Sequence, residues 1–430
     1  MKKINEEFLH FLWKNQHLLG VSFLTRENVE IKVIDCGMHN QDAGPDFFNA
    51  RIMIGSTLWA GNVELHINAS DWLKHGHDKD PAYDNVILHV VYFDDCRVCR
   101  TDGAEIPTLI LRFPSLLWDK YSLMMKEKRW IPCQEELKQI APIHEAQWTS
   151  SLLIEKLQSR SNDFERQLEE TTNHWDALLS RIIFRGFGVP VNTTPFEILS
   201  TAVPYQLLLR NKQSLFTLEA ILFGQSSLLQ TVLPQDIYTE NLRKEFMRIS
   251  PRIEYNRVPP ESWKFMRLRP ASFPTLRIAQ LAALIHHTFP LHPFIERMPG
   301  KADLVEHLRI RASDYWNTHY QAGKQTRYQH KYLGDSFIQK LIVNAIVPYL
   351  FFFGRKNSQQ QLKDYAIHLL ECTPAEDNAI LKKWSKFGKF CKNAFESQAY
   401  LYLYKNYCLK KQCLRCQYGN LVLSNGENTK

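Results

Sequence analysis

Apolar residues follow one rhythm up to about residue 125 and another beyond about residue 140. In the first stretch, Asn5 reads as an N-cap, Glu6 and Glu7 suit a first helical turn, and Phe8, Leu9, Phe11, Leu12 and Trp13 supply an apolar helix face. Alternating, β-branched runs then predict strands at 29–36, 47–54 and 59–67. The turn-rich stretch 39–46 precedes the second of these, and Gly55-Ser56-Thr57 joins it to the third. Residues 86–93 form a nearly unbroken apolar run, the mark of a strand covered on both faces. The link from Ile67 to Val86 is long enough for a helical crossover. Asp102-Gly103 predicts a last hairpin leading into 106–111.

Beyond residue 140, helical spacing predicts helices over 148–168, 175–187, 215–229, 280–287, 337–353 and 376–390, with an extended Pro- and Arg-rich connector over 248–277. The chain therefore divides into an α/β domain at 1–130 and a larger all-α domain at 140–430 that carries a C-terminal cysteine cluster.

Composition narrows the classes. With 430 residues, 44% hydrophobic and 23% charged, the chain is neither disordered nor a disulfide miniprotein. The 53 basic against 45 acidic side chains leave +8, compatible with a nucleic-acid partner without demanding one. Glu6 and Glu7 interrupt any signal-peptide core. The most apolar stretch, 341–353, is broken by Asn344 and Pro348 and reads as a buried helix, so no membrane association is expected. The nine cysteines are expected to be reduced, in a cytoplasmic protein. Phosphate-binding glycine loops and the nucleophile elbow of serine hydrolases are missing from the sequence.

The chemistry concentrates in Gly44-Pro45-Asp46 and Gly61-Asn62-Val63-Glu64-Leu65-His66. Strand alternation puts Glu64 and His66 on one face, with Asp46 at the mouth of the neighbouring strand. Two carboxylates and the Leu65 carbonyl would form a hard oxygen site for Mg²⁺ or Mn²⁺. These residues and the element order resemble the PD-(D/E)XK phosphodiesterase superfamily. The resemblance implies a restriction-endonuclease-like mixed sheet with flanking helices, and metal ligation by Asp46 and Glu64. Glu7 (or Glu6) would assist, and His66 stands where the motif has Lys; Lys74 is another source of the cation. A rival metal set is His66, His75, His77 and His89 with Glu64, suited to Zn²⁺ or Fe²⁺.

Two further features bear on partners. Cys408, Cys413 and Cys416 form three-quarters of a Zn or Fe–S site, for which Cys391, Cys372, Cys133 or a histidine could supply the fourth ligand. Cys96-x₂-Cys99 is a second such pair. Basic residues interleave with aromatics over 382–415, including Lys382, Lys386 and Lys389, and a second basic stretch includes Arg267 and Arg269. Cations along phosphates with aromatics on bases would suit a DNA or RNA groove.

Nearly the whole chain also resembles the bacterial domain-of-unknown-function family 2851. The likeness runs through Gly44-Pro45-Asp46-Phe47, Val63-Glu64-Leu65-His66, Asp71-Trp72, His75-Gly76-His77, 86–91, Leu222-Phe223-Gly224-Gln225, Arg267-Leu268-Arg269-Pro270 and the terminal cysteines. It implies a cytoplasmic bacterial protein and brings no activity. The expected function is a Mg²⁺- or Mn²⁺-dependent phosphodiesterase acting on nucleic acid. The alternatives are a non-catalytic nucleic-acid binder on a degenerate nuclease fold and a histidine-site metal hydrolase on a small molecule.

Overall fold

The structure, a computed structural model, describes residues 4–15, 23–40, 42–126, 128–188, 190–231, 236–253 and 256–424. It falls into two compact units, one of residues 1–148, 386–388 and 403–430, the other of 149–385 and 389–402. The terminal cysteine segment thus clusters with the N-terminal unit, where the sequence division had placed it with the helical one.

The first unit opens with α1 (Glu6–Lys14). The Asn5 side chain accepts the Phe8 N–H at 3.1 Å, and all five expected apolar residues are buried. The sheet has seven strands: β1 (Phe23–Leu24), β2 (Glu30–Asp35), β3 (Met38–His39), β4 (Phe47–Ile54), β5 (Thr57–Asn68), β6 (Val86–Phe93) and β7 (Thr108–Ile110). The order is β1-β2-β4-β5-β6-β7, with β3 also on β4. β2, β4 and β5 run antiparallel as a meander, whereas β5–β6 and β6–β7 are parallel. β6 is buried from Val86 to Val91, as its unbroken apolar run requires, and α1 packs on β5.

Two connections differ from expectation. The β5–β6 crossover is not one helix but α2 (Asp71–Lys74) followed by short 3₁₀ turns at His77–Lys79 and Pro81–Tyr83. After β6 comes a return loop that carries the expected hairpin turn, with Cys99 and Glu105 bridged antiparallel across it, but the strand it leads into, β7, pairs parallel with β6. The loop's Asp102-Gly103 turn closes on itself through Arg100 N–H to Ala104 O, and the Arg100 guanidinium donates to Val86 O at 2.8 and 3.1 Å. That anchors the loop beside the start of β6.

The second unit is almost wholly helical, with a two-stranded ribbon at His319–Gln321 and Lys324–Gln325. Apolar faces of Trp175–Phe187, Leu215–Gln225, Pro274–Thr288 and Val347–Lys356 meet in its core. Residues 335–356 form one helical run of length and apolarity sufficient to cross a bilayer, mostly buried within the structure. It is longer than the expected helix. The π-helical turn Ile342–Ile346 lets the run pass Pro348, whose missing N–H would otherwise break it.

Candidate metal centre

Asp46 and Glu64 meet across β4 and β5. The backbone N–H of Asp46 donates to Glu64 Oε2 at 3.0 Å, and that of Leu65 donates to Asp46 Oδ2 at 2.9 Å. Each carboxylate thereby fixes the other's strand. The approach to Asp46 is set by Gly44, whose φ of +105° a side chain would resist, and by Asn40, whose amide donates to carbonyls of the 42–45 turn. A bulge in β4 between Phe47 and Ala50 adjusts the register.

On the same face, three histidines come together. Nitrogens of His66, His75 and His77 all lie within 4.8 Å of one another. His66 Nε2 is 3.1 Å from His75 Nδ1, and Glu64 Oε1 is 3.6 Å from His66 Nε2 and 3.4 Å from His77 Nε2. Local sequence makes this possible. His66 is carried on β5, His75 ends α2, and Gly76 at φ +77° reverses the chain so that His77 returns to the site. Tyr83 stacks on His77 with ring centres 3.8 Å apart, and Trp72 packs edge-on to both His66 and His77.

His89 does not join the triad; its Nε2 lies 2.9 Å from His66 Nδ1. It pairs with Glu64 in the β5–β6 register and is fully buried, with Nδ1 left without a partner. With one ring nitrogen of His66 held from behind, the other faces Glu64, His75 and His77. That is how an imidazole ligand is oriented for a metal.

The electrostatics divide the two acids. Burial raises Glu64 above the usual carboxylate range, with Asp46 adding to the rise and the His77 hydrogen bond opposing it. Asp46 is also partly desolvated, but His10 and the Leu65 N–H outweigh burial and hold it low. Burial, reinforced by the neighbouring histidines, pulls His66 down to about 3, and burial does the same to His89. At neutral pH both are uncharged, the state in which imidazole binds metal.

The helix contributes a different face than expected. His10 Nε2 is 3.1 Å from Asp46 Oδ2, and the Asp46 carboxylate outweighs burial to raise the His10 pKa. Glu6 shares that face and is raised by burial, with Asp46 next in effect. Glu7 is exposed, and its charge acts on Tyr121 and Cys413 instead. Lys74 turns to Asp71 at 2.6 Å and supplies no cation to the centre. Sequence reading missed His10; its spacing of four from Glu6 was the available signal.

The donor set is thus richer in nitrogen than two acids and a carbonyl would be. Three imidazoles and one carboxylate fit Zn²⁺, Fe²⁺ or Mn²⁺ better than Mg²⁺. Asp46 is engaged by Leu65 and His10 at the edge of the site.

In the same unit Cys133 comes near the terminal cysteines. Cys133, Cys408, Cys413 and Cys416 lie near enough to act on one another electrostatically, and Cys133, Cys413 and Cys416 are buried. Burial pushes Cys413 up to about 12 and Cys416 up to about 11. The backbone N–H groups of Tyr418 and Gly419 and the Trp148 indole favour the thiolate form of Cys416. A Cβ on Gly419 would meet Cys413 O at 2.1 Å, so only glycine fits that turn. Cys96 and Cys99 take no part: their carbonyls accept from Arg26 and Trp72. Cys372 is exposed and sits 3.3 Å from His368 Nε2, and Cys391 is in the other unit.

The proposed nucleic-acid groove is not assembled as the sequence suggested. Lys389 is buried, and Lys382 pairs with Asp377 at 2.9 Å. Most of the interleaved aromatics are engaged by packing: Trp384 and Tyr400 are buried against each other, and Phe387 and Tyr404 both stack on Trp130, whereas Phe390 is exposed. Lys386, Arg267 and Arg269 are exposed.

Neither a curated protein nor a solved structure matches this chain. Residues 6–379, most of the 430, match the family described as protein of unknown function, DUF2851, and the chain belongs to that family.

Proposed function

We propose that this protein is a metal-dependent hydrolase of phosphodiesters, with nucleic acid as the substrate class. The observation that carries the proposal is the convergence of His66, His75 and His77 around Glu64. The helix, meander, crossover and parallel strand, with Asp46 and Glu64 on adjacent strands, support the likeness to nuclease-like folds. The cofactor is a first-row transition metal, which supplies a water of lowered pKa and a Lewis acid for the phosphoryl oxygens.

The chain's own groups take the remaining roles. His66, His75, His77 and Glu64 hold the metal, and His89 sets the tautomer of His66. Asp46 keeps His10 protonated, so His10 can deliver its proton to a leaving alkoxide while Asp46 stays ionised. The cysteine quartet serves as a structural Zn or Fe–S centre, and the compartment is the cytoplasm.

The test is metal analysis of the full-length protein together with cleavage of single- and double-stranded DNA and RNA in Mn²⁺, Zn²⁺ or Mg²⁺. One metal equivalent beyond any held by the cysteines, and metal-dependent cleavage, are expected, both lost in His77→Ala and the cleavage lost in Glu64→Ala. Binding without cleavage would replace the hydrolase by a nucleic-acid binder. Metal with neither binding nor cleavage would move the substrate to small molecules.

A further inference from the structure

A cavity of about 380 Å³ opens in the helical unit, among 186–190, 271–280, 320–337 and the helix through Asn344. Two of its walls are cationic. Lys331 is 5% exposed, its ammonium has no hydrogen-bond partner, and the nitrogen sits 3.7 Å from the centre of the Tyr320 ring. The Arg277 guanidinium lies 3.7 Å over Phe337, and its sole hydrogen bond among the described residues is to Gln280 Oε1 at 3.0 Å. Lys340 lines the rim. Among the described residues, no Asp or Glu lines the cavity.

That arrangement is costly in the empty protein. A buried ammonium normally pairs with a carboxylate or shifts to its neutral form, and ring faces replace only part of its lost hydration. Elsewhere in this unit, arginines find acids: Arg185 reaches Glu197 at 2.6 Å and Arg309 reaches Asp335 at 2.9 Å. Here the scaffold works to keep both cations in place instead. Gln280, 2% exposed, accepts from Arg277 and donates to the carbonyls of Lys331 and Tyr332 at 3.3 and 3.1 Å, which ties the two cation-bearing segments together. Burial lowers the Arg277 pKa to about 10, which still leaves it charged at neutral pH.

We infer that this cavity binds the phosphate group of a small anionic ligand, with Lys331 and Arg277 as its counter-charges. A planar guanidinium fork beside a point-charge ammonium matches phosphate oxygens. The volume exceeds what inorganic phosphate fills, and Leu276 and Phe337 offer an apolar wall to an organic body such as a mononucleotide. The site is independent of the histidine centre, which belongs to the other unit.

The experiment is isothermal titration of the full chain with inorganic phosphate, AMP and adenosine. Phosphate and AMP should bind, AMP more tightly, and adenosine should not. Lys331→Met should weaken both by at least about tenfold while leaving the protein folded, since it removes an unpaired buried charge. Lys340→Glu, an exposed change at the rim, should weaken both by a smaller factor and guards against misfolding of the first variant. No binding of phosphate or AMP at millimolar concentration would overturn the inference, as would binding that survives both substitutions or adenosine binding as well as AMP.

Discussion

The two units bury ionisable groups in opposite ways. In the helical unit, Glu219 is fully buried, accepts from Ser313 at 2.8 Å, and is hydrogen-bonded to Tyr238. Burial raises its carboxyl to about 7, and every neighbour is a donor turned toward it. In the N-terminal unit, Glu64, His66, His77 and His89 are buried against one another, ring nitrogen against ring nitrogen and carboxylate. The first network is one of hydroxyl donors around a single acid. The second gathers several groups that can each ligate a cation, with their ligating atoms drawn together. Burial alone therefore does not mark a functional site; the convergence of ligating atoms does.

The sharpest way to break this comparison is to remove one member from each network. His77→Ala should lose the one metal equivalent of the histidine centre and reduce turnover to that of the metal-free protein, with the fold retained by circular dichroism. Glu219→Ala should do the reverse. Metal content and turnover should stay at the wild-type level, while urea unfolding should show a loss of about 3 kcal/mol, the cost of a cavity and of stranded Tyr238 and Ser313 hydroxyls. If Glu219→Ala abolished turnover with metal intact, the Glu219 network would have to belong to the chemistry.

The cysteine quartet falls between these cases, since three buried thiols and a half-buried one can be either inert filling or ligands. Elemental analysis of Cys133→Ser should show one metal equivalent fewer than wild type and a melting temperature lower by several degrees. Cys372→Ser, at an exposed position, should match wild type in both. Equal metal content in wild type and Cys133→Ser would leave the quartet as packing.

Much of this contrast was legible in the sequence and some was not. Alternation along β5 put Glu64 and His66 on one face without any structure, and the apolar run of β6 gave its central position. The direction of α1 was legible too, but not its rotation. Whether Glu6 or Glu7 meets Asp46 depends on how the helix docks, and adjacent helical residues point about 100° apart. Cys133 joins cysteines from the far end of the chain, a long-range pairing that no local spacing encodes. Lys389, Trp384 and Tyr400 fit a solvated groove by composition, yet tertiary packing turned them inward. The parallel pairing of β7 with β6, and the Arg100 to Val86 O contact that ties the loop between them to β6, are long-range features that no turn propensity foretells.

Glu219 also gives the comparison a pH signature. Its folded pKa of about 7 lies above the ordinary carboxyl value of 4.5, so the folded protein holds a proton that the unfolded chain releases. Between those two values the native state binds more protons, and stability falls as pH rises through the window, then levels off above it. Glu219→Gln keeps an uncharged group of the same shape and should flatten the unfolding free energy between about pH 4.5 and 7 relative to wild type. An unchanged slope in the variant would mean that Glu219 is ionised in the fold.

The smallest expected effect tests the finest claim, that His89 positions a ligand without being one. Its Nε2 meets His66 Nδ1, and its own Nδ1 has no partner. For His66 to present a lone pair at Nε2, its proton must sit on Nδ1 and be accepted by His89. His89→Leu removes that acceptor and also an unpaired polar atom from a fully buried position. Metal affinity should therefore fall about 10- to 100-fold, the usual cost of losing the group behind a histidine ligand. The metal-free protein should unfold at the same urea concentration or a slightly higher one. His89→Gln, whose carbonyl can take the same proton, should recover most of the affinity. A ligand would show another pattern: His89→Leu would lower the metal stoichiometry itself, and no amide would restore it. A purely structural residue would show a third, with metal-free stability and affinity falling together. Competition titration against a chelator, run beside urea unfolding of the stripped protein, separates the three.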